Sequence, residues 1–439
     1  MPLLRPFNTT GYNTNLINDL NLVVAPPYDV ITPEQREIYA SKSPYNIVHL
    51  TLPEGEGDNK YSNAKKKLLS WLLKDVLTTD KNPGIFIYEQ KFTIRGANYK
   101  RRGIVSLLKV EEYGNGVFRH EKTFGGPKED RRKLMEAVEG QLEPLFFLYS
   151  DRDNLVNSKI YDMEFDYTAK TAVDENGVKH TLWKIPNKQL EDFILETLSK
   201  SSIYIADGHH RYETTLQYVK EKGGGDNDTY SYVLGTFFNM YSRDLVILPT
   251  HRLVKVDSFS QEEFIKKLDR YFKIAVINYS EQVVDVALNK LNMVMSDRKQ
   301  KGSVCFGLYS MYEATKLYLI TLKDEVKSSI IQEYSKNLGK EVASLDVSIL
   351  TELVLKDTLG LSDEQILSRA YVDYIRYEKE GLQTVKKGIR DLLFILNPVT
   401  VDEVIKVSEA GLVMPQKSTD FYPKIESGLS LYLFREQQF

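Results

Sequence analysis

The stretch Ile203-Tyr204-Ile205-Ala206-Asp207-Gly208-His209-His210-Arg211 decides how the first half of the chain is read. Four apolar residues end on an acid and a glycine, and a run with Tyr212, Leu216 and Val219 on one face follows. A short apolar run fits a buried strand, and the i, i+4, i+7 spacing fits an amphipathic helix, so the order is strand, turn, helix. The helix stops at Gly223-Gly224-Gly225, where glycines release the chain from helical geometry. A helix starting at this turn has unsatisfied N–H groups and the positive end of its dipole facing outward. Gly208 lets a ligand approach the backbone and Arg211 adds a forked donor, a combination that suits phosphate, carboxylate or sulfate. In the competing reading Asp207 is a helix cap, with His209 and His210 decorating the first turn. A metal held by the two histidines is the poorer reading, because helix neighbours point about 100° apart.

Working outward, a helix over Lys188 to Lys200 leads into this strand, and a hairpin between 160 and 186 turns at Glu175-Asn176-Gly177. Further back come a strand near Leu145 to Tyr149, a helix near Glu129 to Glu139, and strands at Ile85 to Glu89, Arg101 to Val110 and Gly116 to Arg119. The last two are expected to form a hairpin across Gly114-Asn115-Gly116. Ala64, Leu68, Trp71, Leu72 and Val76 predict a helix over residues 61 to 77, and the residues before 60 read as loop and short elements. Beyond Thr250 the pattern predicts a helix at Gln261 to Tyr271 and a strand at Phe272 to Val276. Strands near Val304 to Tyr309 and Leu317 to Leu322, and helices around 327 to 335 and 347 to 357, complete a second unit. The expected fold class is α+β, with mixed sheets and helices, a first domain over 1–255 and a second over 256–439 whose C-terminal motif returns to the site.

Composition narrows the function classes. The 439 residues carry 58 basic and 61 acidic side chains, a formal charge of -3, which argues against a protein that coats nucleic acid by bulk charge. No DNA-reading helix-turn-helix is apparent either. Cys305, the single cysteine, can build no disulfide framework and no thiolate zinc site. The first residues lack the long apolar stretch of a signal peptide, and runs such as Pro144-Leu145-Phe146-Phe147-Leu148 are too short to span a bilayer. A cytoplasmic location without a membrane partner is therefore expected.

Three further stretches carry chemistry. Ala25-Pro26-Pro27-Tyr28-Asp29-Val30 presents Tyr28 and Asp29 on a rigid proline segment, ahead of a helix start at Thr32-Pro33-Glu34. His120-Glu121-Lys122-Thr123 runs through Phe124-Gly125-Gly126 into a helix beginning at Pro127 or Lys128, with Lys128, Glu129, Asp130 and Arg131 on it. Met414-Pro415-Gln416-Lys417-Ser418-Thr419, with Phe421-Tyr422-Pro423-Lys424, is basic, hydroxyl-rich and stiffened by prolines. Taken one at a time, each also reads as an ordinary surface connection.

Together these stretches are specific. APPYDV at 25–30, HEKT with PKEDR at 120–131, ADGHHR at 206–211, LPTHR at 248–252 and MPQKST at 414–419 resemble, in one order, the bacterial and archaeal family catalogued as domain of unknown function one thousand and fifteen. ADGHHR is also distantly similar to the phosphate loop of the ParB/sulfiredoxin superfamily, whose free serine kinases carry a very similar string. That resemblance implies a ParB/sulfiredoxin-like core and phosphorylation of the hydroxyl of free L-serine or a related metabolite. Sulfiredoxin needs a cysteine in this loop, where this chain has His209 and His210, so that activity is not expected.

A phosphotransferase needs mainly positioning and charge neutralisation. Lys122, Lys128, Arg131, Gly208, His210, Arg211, Lys417, Ser418, Thr419 and Lys424 are the expected phosphate ligands. Asp29, Glu121 or Asp207 would take the substrate proton or hold Mg²⁺, with His209 as the alternative base. Neither a Walker loop nor a kinase-type glycine loop is present, so ATP, ADP and pyrophosphate all stand as donors. A nucleotide-binding switch of ParB type and a non-catalytic metabolite sensor are the alternatives.

Overall fold

A computed structural model describes residues 1–122, 125–166 and 168–437. Two units emerge, one from residues 1–119, 123–246 and 421–439, the other from 120–122 and 247–420. Each has its own sheet, and the fold is α+β with mixed pairing, as expected. Among the described residues no helix is long and apolar enough to cross a membrane.

The first sheet comprises, among the described residues, β1 (Leu4–Arg5), β2 (Phe86–Ile94), β3 (Ala97–Lys109), β4 (Val117–Phe118), β5 (Leu145–Tyr149), β6 (Lys170–Val173), β7 (Lys179–Lys184), β8 (Ile203–Asp207) and β9 (Tyr232–Asn239). Their order is β4-β8-β5-β9-β3-β2-β7-β6, with β1 also pairing to β3. The pairs β4/β8 and β5/β9 are parallel, and the others are antiparallel. β5 and β9 are buried at every residue, which is why β5 reads as a continuous apolar run rather than an alternation. The Phe147 and Phe237 rings stack at 4.9 Å, and a Cβ on Gly235 would fall 2.6 Å from the Phe147 ring, so the close approach requires glycine there.

Among the described residues, the longer helices that flank this sheet's strands in sequence are α1 (Pro33–Lys42), α2 (Asn59–Leu73), α3 (Gly125–Val138), α4 (Lys188–Ser199) and α5 (His209–Lys222). Thr32 and Gln35 close a capping box on α1. Asn187 caps α4, and Gly223 ends α5 at φ 71° in the left-handed region. α3 begins at Gly125, earlier than the expected Pro127 or Lys128.

Two expectations are corrected. No hairpin joins β3 to β4: Gly114 and Gly116 do turn the chain, but β4 leaves to pair in parallel with β8. The true hairpin partner of β3 is β2, through a turn at Arg95 and Gly96, both with positive φ. A two-residue β4 has too little pattern to reveal its partner, and β9 already occupies the β3 edge it would need. The second correction concerns the chain end, since residues 421–439 belong to the first unit rather than to a domain over 256–439. Thr10 and Leu431 exchange backbone hydrogen bonds of 3.1 and 2.8 Å, Ser427 pairs with Ala25, and Tyr432–Leu433 pair with Gly140–Gln141.

Arg101 binds that returning segment from inside β3. It is fully buried, donates to the carbonyls of Tyr422 at 3.1 Å and Pro423 at 2.8 Å, and to Gln90 Oε1 at 3.1 Å. Gln90 in turn donates to the Lys424 carbonyl at 2.7 Å. Burial pulls Arg101 down to about 9, and the Phe238 ring lies 4.4 Å below its guanidinium.

The second sheet runs β11-β13-β12-β15-β10-β14 and is antiparallel throughout, built from β10 (His251–Val254), β11 (Phe272–Asn278), β12 (Cys305–Ser310), β13 (Lys316–Leu322), β14 (Val372–Ile375) and β15 (Leu392–Leu396). The 17-residue helix α6 (Val284–Gln300), absent from the sequence reading, buries Ala287, Leu288, Leu291 and Met295. The helix expected at 347–357 is a short α-turn, Asp346–Ile349, running into a π-helical stretch over Leu350–Thr358.

Arg101→Met keeps the bulk but leaves three buried acceptors unmatched. It should destabilise the chain by about 3 kcal/mol and open residues 421–437 to early proteolytic cleavage. Urea unfolding and limited proteolysis check both effects, and parent-like stability would contradict the role given to Arg101.

Candidate functional site

Asp207 is the last residue of β8, and Gly208 follows at φ 95°, ψ 25° as the residue before α5. A Cβ on Gly208 would lie 3.0 Å from Leu145 Cγ and from Arg211 Nη2, so conformation and space both require glycine. The side chain of Asp207 is not the helix cap, because the cap position belongs to Gly208. Its carboxylate joins two cations instead. Lys424 Nζ donates to Oδ1 at 2.9 Å, and Arg211 Nη2 donates to Oδ2 at 3.3 Å. Arg211 Nη1 is fixed by the Pro144 carbonyl at 2.9 Å. Burial alone would raise Asp207, but Lys424 and Arg211 overcome it and hold the carboxyl at about 2.

Glu143 is the residue that the sequence reading missed. It is 6% exposed, and its Oε1 accepts from the Tyr28 backbone N–H at 2.9 Å and the Ser427 hydroxyl at 3.1 Å. Burial raises its pKa despite the nearby guanidiniums of Arg211 and Arg131. The same proximity acts in reverse on Arg211, whose pKa burial would lower, but which Glu143 and Asp207 raise. The available signal was a carboxylate set in the apolar run Leu142-Glu143-Pro144-Leu145-Phe146.

Arg131 completes this group. Its guanidinium lies 4.1 Å from the Tyr28 ring centre, and Nη1 donates to the Thr51 carbonyl at 2.7 Å. Tyr28 is pushed up to about 12 by burial, with Asp29 adding to it. Asp29 itself is exposed. A cavity of about 50 Å³ opens beside these groups, lined by Thr51, Arg131, Glu143, Arg211, Thr214 and Thr215 among others. Tyr28, Asp29, Arg131, Asp207, Gly208, His209, His210, Arg211 and Lys424 thus share the first unit, where His209 is buried and His210 holds Thr214 through its carbonyl at 2.8 Å. Lys128 stands in the same unit but is paired to Glu213, which also takes Arg119 at 2.7 Å.

The other expected ligands gather in the second unit. Met414 N–H donates to the His120 carbonyl at 2.8 Å, Glu121 bridges to Met414, and His120 Nε2 lies 3.0 Å from Thr419 Oγ1. Ser418 Oγ donates to the Pro415 carbonyl at 2.6 Å, and Lys417 takes the left-handed φ of 55°. Arg252 fixes this turn, donating to the carbonyls of Gln416 at 3.3 Å and Lys417 at 3.2 Å. Glu121, Lys122, Lys417, Ser418 and Thr419 are therefore local to one another, while Thr123 and Phe124 lie outside the described residues.

The pKa of Asp207 sets a testable stability term. A carboxyl lowered from 3.8 to about 2 stabilises the fold fully above its unfolded value, and loses that stabilisation as pH falls from about 4 to about 2. Asp207→Asn should then lose about 2 kcal/mol at pH 7, with the gap from the parent narrowing over that acid window. Urea melts of both proteins across pH 7 to 3 measure it, and a pH-independent gap would show that the ion cluster contributes nothing.

Solved structures similar to this chain have low identity. They include a free serine kinase in complex with AMP (14% identity, TM-score 0.32, covering 72% of this chain and 89% of that one). A conserved hypothetical protein from Pyrococcus furiosus (14%, TM-score 0.32, 74% and 97%) and SbnI with C-terminal truncation from Staphylococcus aureus (12%, TM-score 0.31, 75% and 87%) are others. No curated protein matches the sequence. The family model described as protein of unknown function (DUF1015) matches residues 4–348, most of the chain, and the chain belongs to that family.

Proposed function

We propose that the first unit binds phosphate groups at the Gly208 turn and that the chain is a small-molecule phosphotransferase acting on a hydroxyl, with free L-serine as the first acceptor to try. The observation that carries this reading is the helix start at Gly208 with Arg211 and Lys424 both fixed on Asp207. Arg211 and Lys424 flank Asp207 just ahead of the α5 start, and Arg131, itself paired with Asp130, lines the same cavity as Arg211; cations grouped at a helix N-terminus suit phosphate oxygens. The DGHHR string and its resemblance to free serine kinases support the same reading.

The roles divide by electrostatics. A carboxylate held at about 2 is a poor proton acceptor at neutral pH, so Asp207 is better suited to positioning Arg211 and Lys424 than to acting as base. Asp29 is exposed beside Tyr28 and is the carboxylate assigned to take the hydroxyl proton. Glu143 fixes Tyr28 through its backbone and so sets where Asp29 stands. Mg²⁺, when bound with the donor, neutralises phosphate charge. Asp29 fits that ion as a ligand, whereas Asp207 fits poorly because both of its oxygens already accept from cations. ATP, ADP and pyrophosphate are the donors to test.

Phosphoryl transfer read directly by phosphorus NMR, with each donor against L-serine and other hydroxylated metabolites, tests the reading. Asp29→Asn should lower turnover by roughly 10²-fold or more while folding normally. Arg211→Ala should weaken donor binding by about 1–3 kcal/mol. Absence of transfer and of donor binding across the whole panel would overturn the proposal, and parent-like turnover in Asp29→Asn would remove Asp29 as the base.

A further inference from the structure

Outside the anion cluster, the first unit contains a second concentration of titratable groups. Asp174 closes the turn between β6 and β7: its Oδ1 accepts from the N–H groups of Asn176 and Val178, each at 2.8 Å. Its other oxygen, Oδ2, faces inward, 3.6 Å from Nε2 of His180 on β7. Glu426, on the returning C-terminal segment, places Oε2 3.9 Å from the same nitrogen. One ligand atom from each of the three residues lies within 4.8 Å of the other two. His180 is 0% exposed, and its Nε2 has no hydrogen-bond partner even though it points between two carboxyl groups. Both distances exceed a normal N–H···O hydrogen bond.

We propose that Asp174, His180 and Glu426 form a binding site for a divalent transition-metal ion of the Zn²⁺ class. One imidazole and two carboxylates are a zinc-type donor set, unlike the all-oxygen sets that Ca²⁺ and Mg²⁺ prefer. Ligands about 2.0–2.2 Å from a shared tetrahedral ion lie roughly 3.3 Å apart, so the observed spacing needs only small side-chain rotations. The surroundings supply the outer partners that such a site needs. Tyr88 Oη is 2.7 Å from His180 Nδ1 and accepts the Glu426 backbone N–H at 3.0 Å. Gln90 Nε2 also lies 3.4 Å from Nδ1, but its shorter bond is the one to the Lys424 carbonyl at 2.7 Å, which leaves Tyr88 as the closer partner. When Nδ1–H is donated to Tyr88, Nε2 turns its lone pair toward the carboxylates. The two N–H groups on Asp174 orient its carboxylate in the same way. In the opposite tautomer Nε2 carries the proton, and the cluster is a buried proton-sharing group that takes no ion.

The site would staple the β6–β7 turn to the segment carrying Lys424 and Ser427. Its role is structural, and it does not depend on the phosphotransferase reading. The test uses the full chain, stripped with a chelator and titrated with Co²⁺. We expect one equivalent to bind with the visible bands of a four- or five-coordinate ion, Zn²⁺ to displace it, and Zn²⁺ to raise Tm. His180→Gln and Glu426→Gln should each weaken Co²⁺ binding at least tenfold. If a variant does not fold, the spectrum of the parent still decides. A parent that binds no stoichiometric Co²⁺ or Zn²⁺ has the proton-sharing tautomer, and binding unchanged in folded variants places the ion elsewhere. Either result overturns the proposal.

Discussion

Asp207 stands at the end of a buried strand, where a carboxylate is tolerated only if it is paired, and it is paired twice, with Arg211 one helical turn ahead and with Lys424 from the chain end. The second pairing constrains the whole first unit. Residue 424 comes after an entire second unit in sequence, so the chain must come back, and it does so along a path lined with obligations. Arg101 takes the carbonyls of Tyr422 and Pro423, and Gln90 takes that of Lys424. Ala25 pairs with Ser427, Thr10 with Leu431, and Gly140–Gln141 with Tyr432–Leu433. The returning segment is thus an integral part of the first unit rather than an appendage.

The same arrangement holds the charged groups around Asp207 in place. Arg211 is held by the Pro144 carbonyl and by Asp207, and Arg131 by the Thr51 carbonyl and the face of Tyr28, so neither guanidinium has to be ordered on binding. Cations held in place in this way would meet an anion with little further ordering penalty, which distinguishes them from lysines on an open surface. Glu143 balances the two arginines from below while fixing the backbone at Tyr28. The cluster accordingly sets carboxylates against its cations, while Asp29 beside it is exposed.

What the sequence made legible was local. Strand, glycine turn and helix at 203–222 come from apolar length, helical spacing and Gly208 and Gly223, and the hairpin at 170–184 from Glu175-Asn176-Gly177. The long-range choices were not legible. Nothing in Val117–Phe118 says that its partner is β8 rather than β3, because pairing partners are set by which edges remain open once the sheet assembles. Lys424 is a candidate by motif, but its carboxylate partner 217 residues away is not visible in the sequence, and Glu143, just ahead of the strand at 145–149, is not singled out by any motif. His180 and Glu426 escaped notice for the same reason: each is unremarkable alone, and only the fold sets them around one point.

The central claim is that phosphate groups bind against the Gly208 turn. A crystal structure of the full chain soaked with a non-hydrolysable nucleotide and, separately, with pyrophosphate tests it most directly. The account predicts phosphate oxygens within hydrogen-bond distance of the backbone at 208–210 and of the Arg211 guanidinium, with Asp207 still joined to Lys424. Phosphates bound at a different part of the first unit, with the Gly208 turn unchanged and unliganded, would contradict it.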